Sequence, residues 1–468
     1  MSDEEGPETA FPGSYPAISA EAATDKARWA VRRQVGQLSQ LVRDPAAQRV
    51  VNAILAERRA GPEAGGLVQF DALSDPGQPD TLIARGELLL HRDTARLDDV
   101  VGFLETQGLA RSEVGCAALE DRIIRLVAES LPAQRLDDLA RVLRARGAIA
   151  SVNHLSPLAK PVGKAEGGAE PVAGPGQYPP AGLECAGEGI KVAIIDTGIA
   201  GEQRADGWLT SIDRIPPGND RPNIDRSNID PLNFFPAGRA DQFLDFAAGH
   251  GTFAAGVVQQ VAPAAEITVY RALDSDGVGT ELGVSCAMIR AVADGAQIVN
   301  LSLGGKTRQN IPPVAMAAAL DRIAELEREQ GRQVLLVAAA GNYGDDVPCW
   351  PAAFRRVVSV GALGPDGRPA DWSSRGWWLT CSAIGEGVRS TYVEGEESPD
   401  ADPEPERFPP SAWALWSGTS FAAPQITGAV ARIASERGVS VHEALALLLP
   451  LGVRTAAHGR ALRILPGV

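Results

Sequence analysis

The chain has 468 residues, enough for two or three domains with a large core, and its 44% hydrophobic content is that of a globular protein. A net charge of −15 argues against a phosphate-backbone partner, which needs clustered Lys and Arg, so no nucleic acid is expected to bind. Five scattered cysteines (Cys116, Cys185, Cys286, Cys349 and Cys381) make no disulfide framework and are expected to be reduced thiols.

The N-terminal stretch, opening Met1-Ser2-Asp3-Glu4-Glu5, is acidic and polar and is expected to be disordered to about residue 20. It has neither the basic nor the apolar region of a secretory signal, and no segment approaches the ~20 apolar residues of a membrane span. A cytoplasmic location with no membrane partner is therefore expected; export would need another route. From there to Arg59, Val31, Val35, Leu38, Val42, Val51 and Leu55 recur at three- and four-residue steps. They predict two helices divided at Asp44-Pro45, because Pro disfavours helix in the residue before it. Residues 1–65 thus read as an extension, first disordered, then helical.

Over residues 66–160 the period switches repeatedly. Strands are predicted at 81–90, 123–127 and 149–154, with amphipathic helices at 97–107 and 133–146. This β-α-β-α-β run predicts a small α+β domain, ferredoxin-like, with helices on one face of its sheet. Residues 161–188 are a linker in which repeated Pro and Gly forbid regular structure. From 189 to 468 the pattern is α/β. Strands are predicted at 190–196, 266–271, 297–301, 333–340, 356–361 and 379–384, and helices at 250–260, 281–294, 313–329, 420–437 and 440–449. Apolar β-branched strands alternating with helices predict a parallel sheet with helices on both faces. Glu394 to Glu406 carries seven acids and three prolines and is expected to be a long exposed loop.

Four segments of this last region carry chemistry. Asp196 ends the apolar run Ile190-Lys191-Val192-Ala193-Ile194-Ile195, at the strand end where α/β folds place ligands. His250 opens a run of small residues, Gly251-Thr252-Phe253-Ala254-Ala255-Gly256. Ser420 follows Ser417-Gly418-Thr419 at the start of a helix, with Pro424 expected in the first turn, where a missing N–H costs little. Asn342 follows Ala338-Ala339-Ala340-Gly341. Taken singly, each has a plain structural reading: a turn Asp, a structural His, an N-cap Ser, a turn-forming Asn.

Together and in this order, the segments resemble the subtilisin-like (S8) serine proteases, whose own chain order is Asp, His, Ser. The resemblance covers about 280 residues and implies a serine endopeptidase. Ser420 would be the nucleophile, His250 the base, Asp196 its orienting carboxylate, and Asn342 an oxyanion donor beside the Ser420 N–H. Phe253 stands where the family often has a second His, a departure outside the triad. The resemblance further implies a substrate-binding edge at Gly277, Val278 and Gly279. It implies a facing edge at Ser302, Leu303 and Gly304, and an S1 pocket bounded by Ala340, Gly341 and Cys349. An extended peptide could add as a strand between the edges. Asp345 and Asp346 could favour a basic substrate residue, but solvated turn acids are the plainer reading. No cofactor is expected; family members often carry structural calcium, whose ligands cannot be mapped here. The 66–160 unit resembles, in size, element order and position, the propeptide domain that precedes many such catalytic domains. It would make the chain a zymogen, or hold it autoinhibited with its own N-terminal domain as partner. The alternative is a regulatory or binding protein on the same fold.

Overall fold

The computed structural model describes residues 25–60, 67–74, 80–156, 171–174, 176, 182–216, 227–233, 243–398 and 405–468. The expected disordered start, most of the linker and the centre of the acidic segment lie outside the described residues.

Two helices come first, α1 (Asp25–Arg43) and α2 (Pro45–Arg58), separated at Asp44. The next unit runs β1 (Phe70–Leu73), β2 (Thr81–His91), α3 (Leu97–Thr106), β3 (Ala110–Ser112), β4 (Ile123–Val127), α4 (Ala133–Ala145) and β5 (Ala150–His154). β2 pairs antiparallel with β1, β4 and β5, and β3 pairs with β4. Successive side chains of a strand point to opposite faces, and β2 uses both. Leu88 and Leu90 join Val101 and Leu104 of α3 and Leu136, Leu139 and Leu143 of α4. Leu89 faces the other way, into the core of the following domain.

That domain runs β6 (Val172–Ala173), β7 (Lys191–Asp196), α5 (His250–Val261), β8 (Glu266–Arg271), α6 (Glu281–Ala293), β9 (Ile298–Leu301), α7 (Val314–Gln330), β10 (Leu335–Ala339), β11 (Val357–Leu363) and β12 (Cys381–Ile384). It continues with β13 (Val388–Thr391), β14 (Gly395–Glu396), β15 (Arg407–Phe408), β16 (Trp413–Trp416), α8 (Thr419–Arg437), α9 (Val441–Leu448), β17 (Val453–Thr455) and β18 (Gly459–Ala461). The main sheet has the order β17-β18-β12-β11-β10-β9-β7-β8 and is parallel except at β17. Its strands feed two cores by alternation. Val192, Ile194, Val337 and Ala339 pack with α5 and α8; Ala193, Ile195, Leu336 and Ala338 pack with α6 and α7. This is the α/β sandwich with helices on both faces that the periodicity predicts.

Three expectations need correction. Val172-Ala173, inside the supposedly irregular linker, forms β6 against Ala414 and Leu415 of β16; Val172 buries itself there with Ala30 and Val31 of α1. The acidic segment is not wholly exposed. β14 and β15 pair across it, and Glu397 is buried with its carboxylate accepting from the Glu406 N–H at 3.0 Å. Cys116 and Cys286 are not reduced thiols but a disulfide, with Cα atoms 5.9 Å apart, joining the N-terminal α+β unit to α6. The pairing could not be read from a sequence separation of 170 residues. Cys185, Cys349 and Cys381 are free.

A candidate active site at the carboxyl ends of the parallel strands

Asp196 is the last residue of β7 and is fully buried. His250 is the first residue of α5, and its Nδ1 lies 2.8 and 2.9 Å from the two Asp196 carboxylate oxygens. Asp196 also accepts from the Thr197 N–H at 2.7 Å. The small residues around these groups are required by space. A Cβ on Gly251 would lie 2.1 Å from the Gly198 carbonyl oxygen, so α5 approaches the β7 turn as closely as backbones can.

A second buried acid braces this pair. Asp230 Oδ2 accepts from Thr197 Oγ1 at 2.8 Å and from the Gly249 N–H at 2.9 Å, while Thr197 Oγ1 in turn accepts from the Gly251 N–H at 3.2 Å. The residues on both sides of His250 are thus tied to the residue after Asp196. Burial, with Asp196 nearby, pushes the Asp230 carboxyl up to about 6 despite the hydrogen bonds it accepts. No sequence signal marks it, because Asn228-Ile229-Asp230 lies in irregular chain with no periodic pattern.

Phe253 explains its own departure from the family pattern. Its ring lies 4.5 Å from Phe421 and 5.6 Å from Trp416. The last two also flank the His250 ring, at 5.0 and 5.3 Å. The imidazole therefore sits against an apolar aromatic wall.

Ser420 is the second residue of α8. Because the helix begins at Thr419, Pro424 falls in its second turn, not its first. There its missing N–H leaves the Ser420 carbonyl without the usual i−4 donor. Ser302 Oγ supplies the replacement at 2.6 Å, and Ser420 Oγ donates back to the Ser302 carbonyl at 2.9 Å. Ser302 Oγ also accepts from Asn300, which accepts from Thr427 of α8. Asn342 Oδ1 accepts from both the N–H and the hydroxyl of Thr419, at 3.0 and 2.9 Å. The Asn342 side-chain N–H₂ lies near Gly418, where an added Cβ would be 3.7 Å from Nδ2.

The expected substrate-binding residues fall into two groups on the two sides of this centre. Ser302, Leu303 and Gly304 follow β9, and Ala340 and Gly341 follow β10. Cys349 joins them: a Cβ on Gly304 or on Gly341 would lie 3.1 Å from its Sγ. Burial raises the Cys349 thiol to about 12, so it serves as an apolar wall and not as a reactive thiol. Asp345 is paired with Lys306, which also stacks over Tyr343 at 4.6 Å; it is not a lone solvated acid. Gly277, Val278 and Gly279 lie on the opposite side, in the turn between β8 and α6.

That second edge is covered. Leu155 pairs antiparallel with Thr280, and the Ser156 N–H donates to the Gly279 carbonyl at 2.8 Å. Val278 is buried among Val51 and Leu55 of α2, Leu82 of β2 and Leu155. Arg58 and Arg59 reach over the same turn. Arg59 pairs with Asp274 at 2.7 Å and Asp276 at 3.0 Å, and Arg58 pairs with Asp276 at 3.1 Å and with Asp245. Beside them His154 Nδ1 lies 3.1 Å from the buried carboxylate of Glu281.

Comparison with known proteins places this fold. The family model described as Subtilase family matches residues 187–456. The chain belongs to the subtilase family. It is 27% identical over 318 residues to an intracellular serine protease of Paenibacillus polymyxa, covering 62% of this chain and 84% of that one. It is 27% identical to thermitase of Thermoactinomyces vulgaris, covering 53% of this chain and 76% of that protein. The structure of fervidolysin from Fervidobacterium pennivorans, described as a keratinolytic enzyme related to subtilisin, superposes with a TM-score of 0.57 at 19% identity. That match covers 84% of this chain and 61% of that one and supports the shared fold. This subtilase is a serine endopeptidase acting on protein or peptide substrates. Among the described residues no group of three or more His, Cys, Asp or Glu is placed to hold a metal ion. No helix among the described residues is long and apolar enough to cross a membrane.

Proposed function

We propose that this subtilase cleaves peptide bonds with Ser420 as nucleophile and His250 as general base, and that its own N-terminal domain holds it inactive. The observation that carries the reading is the bond between His250 Nδ1 and the buried Asp196 at 2.8 Å, with the imidazole 5.0 Å from the ring of Phe421, the residue after Ser420. Asp196 fixes the tautomer in which His250 Nε2 is free to take a proton, and it stabilises the imidazolium that results. Ser420 Oγ attacks the scissile carbonyl after leaving its ground-state partner, the Ser302 carbonyl. The oxyanion is stabilised by the Ser420 N–H at the start of α8 and by the Asn342 side chain. His250 then protonates the leaving amine.

The inhibitory reading is supported by the same backbone atoms that a substrate strand would use. Ser156 takes the Gly279 carbonyl, and Leu155 and α2 cover Val278. A peptide adding at that edge must first displace them. Cleavage is proposed between Ser156 and Gly168, in chain outside the described residues. The test is a peptide-hydrolysis assay on full-length wild type and Ser420→Ala, with N-terminal sequencing of any fragments. Hydrolysis and a new N-terminus in that window are expected from wild type alone. Equal hydrolysis by Ser420→Ala would reject Ser420 as nucleophile, and unrestrained activity of intact wild type would reject inhibition. A cytoplasmic location is part of this proposal, supported by the intracellular relative; cell fractionation tests it.

A further inference from the structure

We propose that the Cys116–Cys286 disulfide is a redox latch that keeps the N-terminal domain on the enzyme after the linker has been cut. This rests on the inhibitory reading above and adds a second requirement for activation. Cys116 lies in the loop between β3 and β4 of the N-terminal domain, and Cys286 lies on α6 of the catalytic domain. Any cut between Ser156 and Gly168 leaves them on different fragments, so the bridge becomes the covalent link between the two.

The surroundings fit a bond meant to be opened. Cys286 is partly exposed, and both cysteines line a cleft of about 690 Å³ between the domains, together with Leu282, Gly283, Arg85 and Arg125. A small dithiol can therefore reach the Cys286 sulfur. Its thiolate attacks that sulfur, forms a mixed disulfide and releases the Cys116 thiolate, which takes up a proton. The second thiol of the reductant then closes on the mixed disulfide and releases Cys286. Two electrons pass from the dithiol to the bridge; the reductant leaves as a disulfide and the protein gains two thiols. Cys185, Cys349 and Cys381 are already free, so Cys116–Cys286 is the bridge that a reductant can open. Disulfides of cytosolic proteins, where they occur, are commonly transient and redox-sensing, which suits a latch in the proposed compartment.

The latch matters because of concentration. A tethered inhibitor faces its site at an effective concentration on the order of millimolar, about 10⁵-fold above a freed fragment in an assay at about 10 nM. Cleavage alone would leave the enzyme inhibited at any dilution, whereas cleavage with reduction would make inhibition fall away on dilution.

The experiment uses full-length wild type and Cys286→Ser, each with a site for a sequence-specific protease inserted in the 161–168 linker, so that cutting does not depend on self-processing. Free thiols are blocked before analysis. After cutting, wild type should run as one band on a denaturing gel without reductant and as two bands with it, and Cys286→Ser as two bands in both. Peptidase activity of cut wild type at about 10 nM should rise at least tenfold on adding dithiothreitol, while cut Cys286→Ser should be active from the start and indifferent to it. Two bands for cut wild type without reductant would overturn the bridge. A bridge that forms, with activity unchanged by reductant and equal in Cys286→Ser, would overturn its role as a latch. Failure of the protease reading itself is distinguishable, since cut and reduced Cys286→Ser would then hydrolyse no peptide at all.

Discussion

Asp196 and His250 are held by more than their mutual bond: Thr197 and Asp230 fasten the backbone on both sides of the imidazole. Asp230 has a pH consequence. Its folded value of about 6 lies above the ~3.9 of an unfolded Asp, so the folded state binds the proton more tightly. The stability it lends is full below pH ~4 and is lost as pH rises through about 6, with a limiting slope of about −1.4 kcal/mol per pH unit between the two. Denaturant titrations between pH 3 and 7, in a Ser420→Ala background that cannot digest itself, should show this falling term, and adding Asp230→Asn should remove it. Identical pH slopes in the two proteins would contradict the assignment. Asn342 gives a kinetic prediction. If its amide acts on the transition state and not on bound substrate, Asn342→Ala should lower kcat by ~10²–10³ and leave KM nearly unchanged, the scale measured for such a donor in subtilisin itself. An unchanged kcat would return Asn342 to its bond with Thr419 and no more.

At the scale of elements, legibility followed burial. β7, β9 and β10 were readable because both their faces are buried, which demands apolar runs. β8, at the sheet edge, was readable because Ile267 and Val269 are buried while Glu266 and Thr268 are exposed. β3, β14 and β15 were not. Their two or three residues carry no period, and pairing with a neighbour rather than composition makes them strands. Pro424 lies one turn further into α8 than its sequence context predicts because the helix begins at Thr419, and that position underlies the Ser302–Ser420 coupling. Helix α1 is the larger surprise. Its periodicity announced a helix, but nothing in it announced that Leu38 would enter the catalytic core or that Gln34 would be buried against β16. Gln34 donates to the Leu415 carbonyl at 3.0 Å and accepts from Ser417 Oγ at 2.7 Å, three residues before Ser420. Gln34→Ala should therefore cost ~1–3 kcal/mol, the penalty for stripping partners from buried polar groups, measured by denaturation in the Ser420→Ala background. A change below about 0.5 kcal/mol, the range of an ordinary surface substitution, would mean that the bonds of Gln34 to Leu415 and Ser417 add no stability.

For the whole molecule, the motifs point to the proposed chemistry and the packing of the N-terminal domain to the proposed control. Asp196, His250, Asn342 and Ser420 stand at strand and helix ends whose local sequence is restrictive, since only small residues let α5 and α8 approach the sheet. How the N-terminal domain sits could not be read, because its contacts (Ser156 with Gly279, Arg59 with Asp274 and Asp276, Cys116 with Cys286) join residues more than a hundred positions apart and carry no local pattern. The central claim remains the nucleophile. It is tested most directly by treating the protein, with its linker cut and its disulfide reduced, with a fluorophosphonate probe and locating the adduct by peptide mass spectrometry. The account predicts one adduct, on Ser420, that is lost in Ser420→Ala and greatly slowed in His250→Ala. An adduct on another residue, or undiminished labelling of Ser420→Ala, would contradict it.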